Sequence, residues 1–300
     1  MSQNVDICFY NLFHIGDAYI TSLFMNLICK ANPDIVFYYY ITKGDTFFSH
    51  IENTNKIDDV NLIQQINSLE RRTPYKLVSY DTQKKLCINT WSTALGHNDY
   101  DIIDAFEKWN EMINKLNIEF GMDIKFDIKK CNMLHPIKFQ AEQKFIDFKN
   151  NTNLNITFVY NFDSLSVPFH KNYIHHLINV LAKNIENKIL IIPFYNSNYP
   201  VHKNILYLDR DFNIYPDSNC DNLLKTWEIA KKCNSIVITT CGACWLFFDE
   251  DIYNIPNILY YHSNDKYTHN ADVKLNDNIK YFTNSSRNII KSLHTQNICK

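Results

Sequence analysis

The chain has 300 residues, 46% hydrophobic and 21% charged, and its 30 basic and 32 acidic side chains leave a net charge of −2. That length allows two domains with a core large enough to need neither metal nor disulfide, and the near-neutral balance lacks the basic surplus or stripe of a nucleic-acid binder. Nine scattered cysteines, an odd number, do not read as a disulfide framework.

Met1 to Asp6 is polar and lacks the basic-then-apolar order of a signal peptide. No apolar run approaches the ~18 residues of a membrane span, so a cytoplasmic protein is expected. Val5 to Phe9 is the first strand, and Asn11 to Gly16 is a loop. A helix from about Ala18 to Lys30 carries Ile20, Leu23, Phe24, Leu27 and Ile28 at i, i+3, i+4, i+7 and i+8, one buried stripe. Asn32-Pro33 ends it. Ile35 to Ile41 is a second strand, which completes a βαβ unit and predicts a parallel sheet. Leu77 to Tyr80 and Leu86 to Trp91 read as short strands. Tyr100 to Leu116 reads as a helix with Ile103, Phe106, Trp109, Ile113 and Leu116 inward, and Gly121 lies soon after its end. Ile137 to Asn150 is a polar helix or linker.

A second alternating series follows. Its strands are Ile156 to Tyr160, Lys188 to Pro193, Ile205 to Leu208, Ser235 to Thr239 and Asn257 to Tyr261. Its helices are Asn172 to Asn184, Asp221 to Cys233, a short Ala243 to Phe248, and Ser285 to His294. The run Asn150 to Asn155 is the best boundary between the two series. The expectation is an α/β chain of two Rossmann-like, doubly wound domains, 1–150 and 151–284, facing a ligand cleft at the carboxyl ends of the strands. Residues 285–300 form a last helix, able to pack back on the N-terminal domain. The five glycines, Gly16, Gly44, Gly96, Gly121 and Gly242, spell neither a Walker A loop nor G-x-G-x-x-G. Heavy use of Asn, Ile and Lys fits an AT-rich genome, such as that of a virus or parasite, and carries no chemistry.

The segment from His14 to Thr21, with Gly16-Asp17 at its centre, sits where the first strand turns into the first helix. Gly16 allows close approach of a ligand or a positive φ. Asp17 lies where a helix N-terminus stabilises carboxylate charge. The plainer reading makes Asp17 an N-cap that satisfies orphan N–H groups.

Gly16-Asp17, the apolar helix containing Thr21, and then Asn32-Pro33-Asp34 resemble the opening of the heptosyltransferase family. That resemblance implies the GT-B fold, two Rossmann-like domains with the active site between them, and Asp17 as the catalytic base. Leu223 to Cys233, Ser235 to Thr239 and then Thr240-Cys241-Gly242-Ala243-Cys244-Trp245 are similar to the family's helix, strand and Asp-Ser/Thr-Gly-x-x-His turn. There a helix N-terminus receives the donor diphosphate, a sound anion site. Gly242 matches, while Thr240 stands at the aspartate position and Trp245 at the histidine position. Lys171-Asn172-Tyr173 resembles a Lys-x-Trp that places a phosphate-binding lysine. The implied donor site is Lys171, Thr240, Cys241, Gly242 and Ala243.

Asn89-Thr90-Trp91 and His97 end a strand of the first domain, on the rim that faces the acceptor in a GT-B enzyme. Trp91 could stack on a sugar, with Asn89 and His97 donating hydrogen bonds, and His14 and Gly16 completing the acceptor site. A core tryptophan is the alternative. Cys241-Gly242-Ala243-Cys244 also has the form of a thiol redox site, but it follows a late strand of a second domain, and no second C-x-x-C exists to hold zinc. Asp209-Arg210-Asp211 imitates an Asp-x-Asp metal motif, yet a charged turn after a strand is the simpler reading. His175-His176 are adjacent and cannot share a helix face. The reading is therefore a glycosyltransferase that needs no cofactor or metal. A nucleotide-sugar donor and a glycan or other hydroxyl acceptor are its partners. A catalytically inactive nucleotide- or glycan-binding module on the same fold is the alternative.

Overall fold

A computed structural model describes residues 5–12, 15–80, 83–91, 102–126, 141–161, 171–183, 185–216, 220–239, 257–262 and 279–283. The chain divides into two compact units that part between Ile137 and Lys138. Each is built on its own sheet.

The first sheet has five strands in the order β3-β2-β1-β5-β4. They are β1 (Asp6–Asn11), β2 (Phe37–Ile41), β3 (Thr54–Lys56), β4 (Tyr75–Tyr80) and β5 (Gln83–Asn89). Pairing is parallel except for the antiparallel β4 and β5. Central β1 is apolar from Ile7 to Tyr10 because it is covered on both faces. Phe9 packs on Trp109 with ring centroids 5.6 Å apart, while Cys8 and Tyr10 join Leu62, Ile66 and Cys87 on the other side. The helices doing the covering are α1 (Ile15–Ala31), α2 (Val60–Asn67) and α3 (Ile102–Phe120).

Helix α1 departs from the single-stripe expectation. Leu23, Phe24 and Ile28 are buried, but Ile20 and Leu27 are only half-buried. Ala18, Tyr19, Met25 and Cys29 are buried as well. The reason is a second neighbour: a 3-10 turn at Asp45–Phe48 packs on the helix, with the Tyr19 and Phe47 rings edge to face at 5.6 Å. Phe24 meanwhile stacks on Trp109 at 4.3 Å. At the helix end Asn32 folds back, its amide donating to the carbonyls of Ile28 and Lys125 at 2.7 and 2.8 Å. Helix α3 ends at Gly121, whose φ of +64° is the left-handed geometry expected of a terminating glycine. Ile113, Leu116 and Trp109 face inward as their spacing predicts; the side chains of Ile103 and Phe106 lie outside the described residues.

The second sheet runs β11-β10-β9-β6-β7-β8, all parallel. Its strands are β6 (Asn155–Val159), β7 (Lys188–Ile192), β8 (Ile205–Tyr207), β9 (Ser235–Thr239), β10 (Asn257–His262) and β11 (Ile279–Thr283). Helices α4 (Gln143–Asn150), α5 (Lys171–Ala182), α6 (Leu208–Asp211) and α7 (Cys220–Lys231) complete the described elements. Ile174, Leu177, Ile178 and Leu181 of α5 lie against Val159, Leu190, Ile192 and Ile205. Helix α4 belongs to this unit, since Phe145 and Phe148 set their rings edge to face on Phe212 at 5.7 and 5.6 Å. The expected helices at 243–248 and 285–294 fall outside the described residues. Among the described residues Cys8, Cys29, Cys87 and Cys233 are free and buried, and burial raises the pKa of Cys29 to about 12. No described helix is long and apolar enough to cross a membrane.

Two positions in the first unit yield measurable consequences. Gly44, with φ at +89°, opens the 3-10 turn, and a Cβ there would stand 2.9 Å from the Phe47 ring and 3.1 Å from Ala18 Cβ. Gly44→Ala is expected to lower the urea-unfolding free energy by about 1–3 kcal/mol, from left-handed backbone strain and the clash together. His50 is held to a pKa of about 4, first by burial and then by the nearby Lys30 charge. The unfolded chain takes up that proton near 6.5. The stability gained from neutral His50 is thus fully present above pH 6.5 and lost as pH falls toward about 4. The urea midpoint of the wild type should therefore drop more between pH 7 and pH 4.5 than that of His50→Gln.

Candidate functional site

Strands β1 and β5 are parallel neighbours, so both end at the same edge of the first sheet. From β1 the chain passes through Leu12, Phe13 and His14 into α1. Phe13 and His14, like His97, lie outside the described residues. Helix α1 begins at Ile15, so Asp17 sits inside its first turn, half-buried. Asp17 is thus a first-turn residue rather than the cap itself, and its carboxylate lies at the positive end of the helix dipole. Gly16 is helical and buried, so the positive φ that a glycine there would permit is not used. That geometry occurs at Gly44 and Gly121 instead.

Behind Asp17 lies a knot of buried polar groups. Thr21 Oγ1 donates to the Asp17 carbonyl at 2.7 Å and lies 2.8 Å from Thr90 Oγ1. Asn11 Nδ2 donates to Thr90 Oγ1 at 3.2 Å. Thr90 approaches the Tyr10 carbonyl twice, through its amide at 3.0 Å and its hydroxyl at 3.1 Å. Asn11, Thr21 and Thr90 are all at least 95% buried, at 1%, 1% and 5% exposure. Such groups are tolerated in a core only when satisfied, and here they satisfy one another. Sequence reading passed over Asn11 and Thr90 as participants. The signal available was a small polar residue at the end of β1 and another directly after β5.

Asn89 and Trp91 stand at the same edge. Asn89 is 1% exposed. Its amide donates to the Arg71 and Thr73 carbonyls at 3.0 and 3.2 Å, and its side-chain oxygen accepts from the Trp91 amide at 3.0 Å. Asn89 therefore holds the turn before β4 against the end of β5. Trp91 is half-buried rather than a core residue, and the Arg71 guanidinium lies over its ring at 4.2 Å.

In the second unit β6 and β9 are parallel neighbours. Lys171 opens α5, the helix that follows β6. Thr240, Cys241, Gly242 and Ala243 follow directly on β9 and, with Cys244 and Trp245, lie outside the described residues. Strands β6 and β9, after which these stretches come in sequence, end at one edge of the second sheet. Beside them Asn161 clamps Phe194, donating to its carbonyl at 3.0 Å and accepting from its amide at 3.1 Å.

The Asp209-Arg210-Asp211 stretch forms α6 rather than an open turn. Asp209 accepts from the Tyr195 amide at 2.9 and 3.0 Å. Asp211 accepts from the Tyr207 amide at 2.7 Å and from the Arg210 guanidinium at 3.0 Å. The two carboxylates are committed to backbone amides and an internal ion pair. His175 stacks on Tyr199 at 5.8 Å while His176 is exposed, so the two point apart.

No protein-family model matches the chain, and no curated protein matches it in sequence. Solved structures do match in shape. A family 9 glycosyl transferase from Veillonella parvula superposes with a TM-score of 0.52 at 12% identity, covering 100% of this chain and 91% of that one. The E. coli heptosyltransferase WaaC, solved with ADP, superposes with a TM-score of 0.50 at 9% identity, covering 98% of both chains. At such identities the likeness speaks for architecture, and the chain has the α/β fold of the GT-B glycosyltransferases.

Proposed function

We propose that the chain is a glycosyltransferase that moves a sugar from a nucleotide-sugar donor to a hydroxyl acceptor. In this reading the transfer is inverting and metal-independent, and Asp17 is the general base. The observation that carries it is the placement of Asp17. A half-buried carboxylate stands in the first turn of the helix that follows the central strand, on a fold shared with sugar transferases. Parallel α/β sheets bind ligands at this edge.

The chemistry follows from that position. Asp17 takes the proton of an acceptor hydroxyl as its oxygen attacks the anomeric carbon. The bond from that carbon to the diphosphate oxygen breaks, and the sugar inverts. The leaving diphosphate gains negative charge, which backbone N–H groups at the turn after β9 and the Lys171 ammonium would stabilise. Thr240, Cys241, Gly242 and Ala243 are small enough to let a diphosphate reach those amides. Trp91, His14, His97 and Gly16 are assigned to the acceptor side. Asn89 supports Trp91 by fixing its amide. The donor sugar is of hexosyl or heptosyl type. The inactive-module alternative rests on Thr240 and Trp245, the positions that depart from the family pattern, and the same experiment decides between them.

That experiment is donor hydrolysis and transfer across a panel of ADP-, UDP- and GDP-sugars, with wild type and Asp17→Asn. Loss of a first-turn carboxylate should cost about 1 kcal/mol of stability at most. Loss of the base should cost ~10²–10⁴ in turnover. Wild-type turnover in Asp17→Asn would reduce Asp17 to a helix-terminal charge, and binding without turnover across the panel would establish the inactive module.

EDTA should leave turnover unchanged, because helix N–H groups and Lys171 take the part of a divalent ion in this reading. Turnover that EDTA abolishes and Mn²⁺ restores would require a metal site and a different diphosphate partner.

A further inference from the structure

The buried hydroxyls behind Asp17 form a hydrogen-bonded chain. A threonine hydroxyl has one proton to donate and two lone pairs to accept with. The Asn11 amide donates to Thr90 Oγ1 at 3.2 Å, the Thr21 and Thr90 hydroxyl oxygens lie 2.8 Å apart, and Thr21 Oγ1 lies 2.7 Å from the Asp17 carbonyl. The Tyr10 carbonyl accepts from the Thr90 amide at 3.0 Å and lies 3.1 Å from the Thr90 hydroxyl. The chain ties the first turn of α1 to the carboxyl ends of both β1 and β5, across 69 residues of sequence between Thr21 and Thr90 and 79 between Asn11 and Thr90.

A helix start is where a helix is least constrained, because its first four N–H groups have no partner within it. A general base, by contrast, must stand within hydrogen-bond reach of the proton it removes, and displacements near 1 Å cost up to about 10²-fold. The hydroxyl chain opposes the first tendency at the residue where the second requirement applies. We propose that Thr90 is a positioning residue for the reaction, acting through Thr21 to hold the peptide of Asp17 and so to aim its carboxylate. The inference rests on the reading of Asp17 as the base. It assigns Thr90 a share in turnover although its side chain is buried against the β1 edge.

The test compares Thr90→Val, which keeps the shape and removes the hydroxyl, with Thr90→Ser, which keeps the hydroxyl. Two readouts are taken. The first is the ¹³Cγ resonance of Asp17 in protein labelled at aspartate, assigned by its disappearance in Asp17→Asn, and it needs no substrate. The second is kcat and KM with the most rapidly used nucleotide sugar of the panel. The expected result is a displaced Asp17 resonance in Thr90→Val and a kcat lower by about 10- to 100-fold with KM little changed. Thr90→Ser should restore both. An unmoved resonance, or a kcat loss that Thr90→Ser shares, overturns the proposal. So does a loss that merely tracks the folded fraction measured by circular dichroism. Full turnover in Asp17→Asn would instead overturn the reading of the base, an outcome separate from the resonance. If Thr90→Val does not fold, Thr21→Val severs the same chain one link nearer Asp17 and is read by the same criteria.

Discussion

Parallel pairing makes every strand of a sheet end at the same edge, and in this chain that geometric constraint gathers the polar residues of interest. In the first unit β1 and β5 lie side by side; β1 finishes with Asn11 and Thr90 directly follows β5, two small polar residues brought together because their strands run the same way. Helix α1 starts from that edge and presents Thr21 to the pair. In the second unit β6 and β9 are likewise parallel neighbours that end at a common edge. An antiparallel arrangement would have sent these segments to opposite ends. The antiparallel strand of the first sheet, β4, is an edge strand, where it does not disturb the gathering.

Much of the architecture was legible because central parallel strands are apolar on both faces and read as continuous runs. The segments ICFY, ITFV and ILII are of this kind, and each lies in a strand within two residues of its expected limits. What escaped had weak or ambiguous signals. Strand β3 is Thr54–Lys56, three polar residues that pair at an edge and carry no burial pattern. Helix α2 had a readable start, since Asp59 accepts from the Leu62 amide as an N-cap, but only Leu62 and Ile66 are buried along it. In α1 the helical period was correct and the stripe too narrow, because periodicity reports one face and the Asp45–Phe48 turn covers another. At the site, Asp17 stood out by its place beside a glycine. Thr21 and Thr90 did not, because a hydrogen bond between residues 69 apart leaves no local trace.

The chain carries twenty phenylalanines and nineteen tyrosines. Described aromatic pairs such as Phe24–Trp109 and Phe145–Phe212 pack the interior. Phe9, Phe24 and Trp109 form a continuous packed column between sheet and helices, and Tyr39 stacks on Phe48 at 4.9 Å to seat the 3-10 turn. Trp91 differs in being half-buried, at a strand end and covered by a guanidinium.

The aromatic seam of α4 bears on where the chain can be divided and recombined. Phe145 and Phe148 close over Phe212, and Glu142 pairs with Lys225 at 2.9 Å. A cut at Asn150 would strip this helix from its own sheet and leave Phe212, which is 7% exposed when covered, open to water. A cut upstream of Ala141 leaves the seam whole. Exchange of halves between such chains, whether by natural recombination or by deliberate splicing, therefore keeps this seam when the joint is upstream of α4 and breaks it when the joint is downstream.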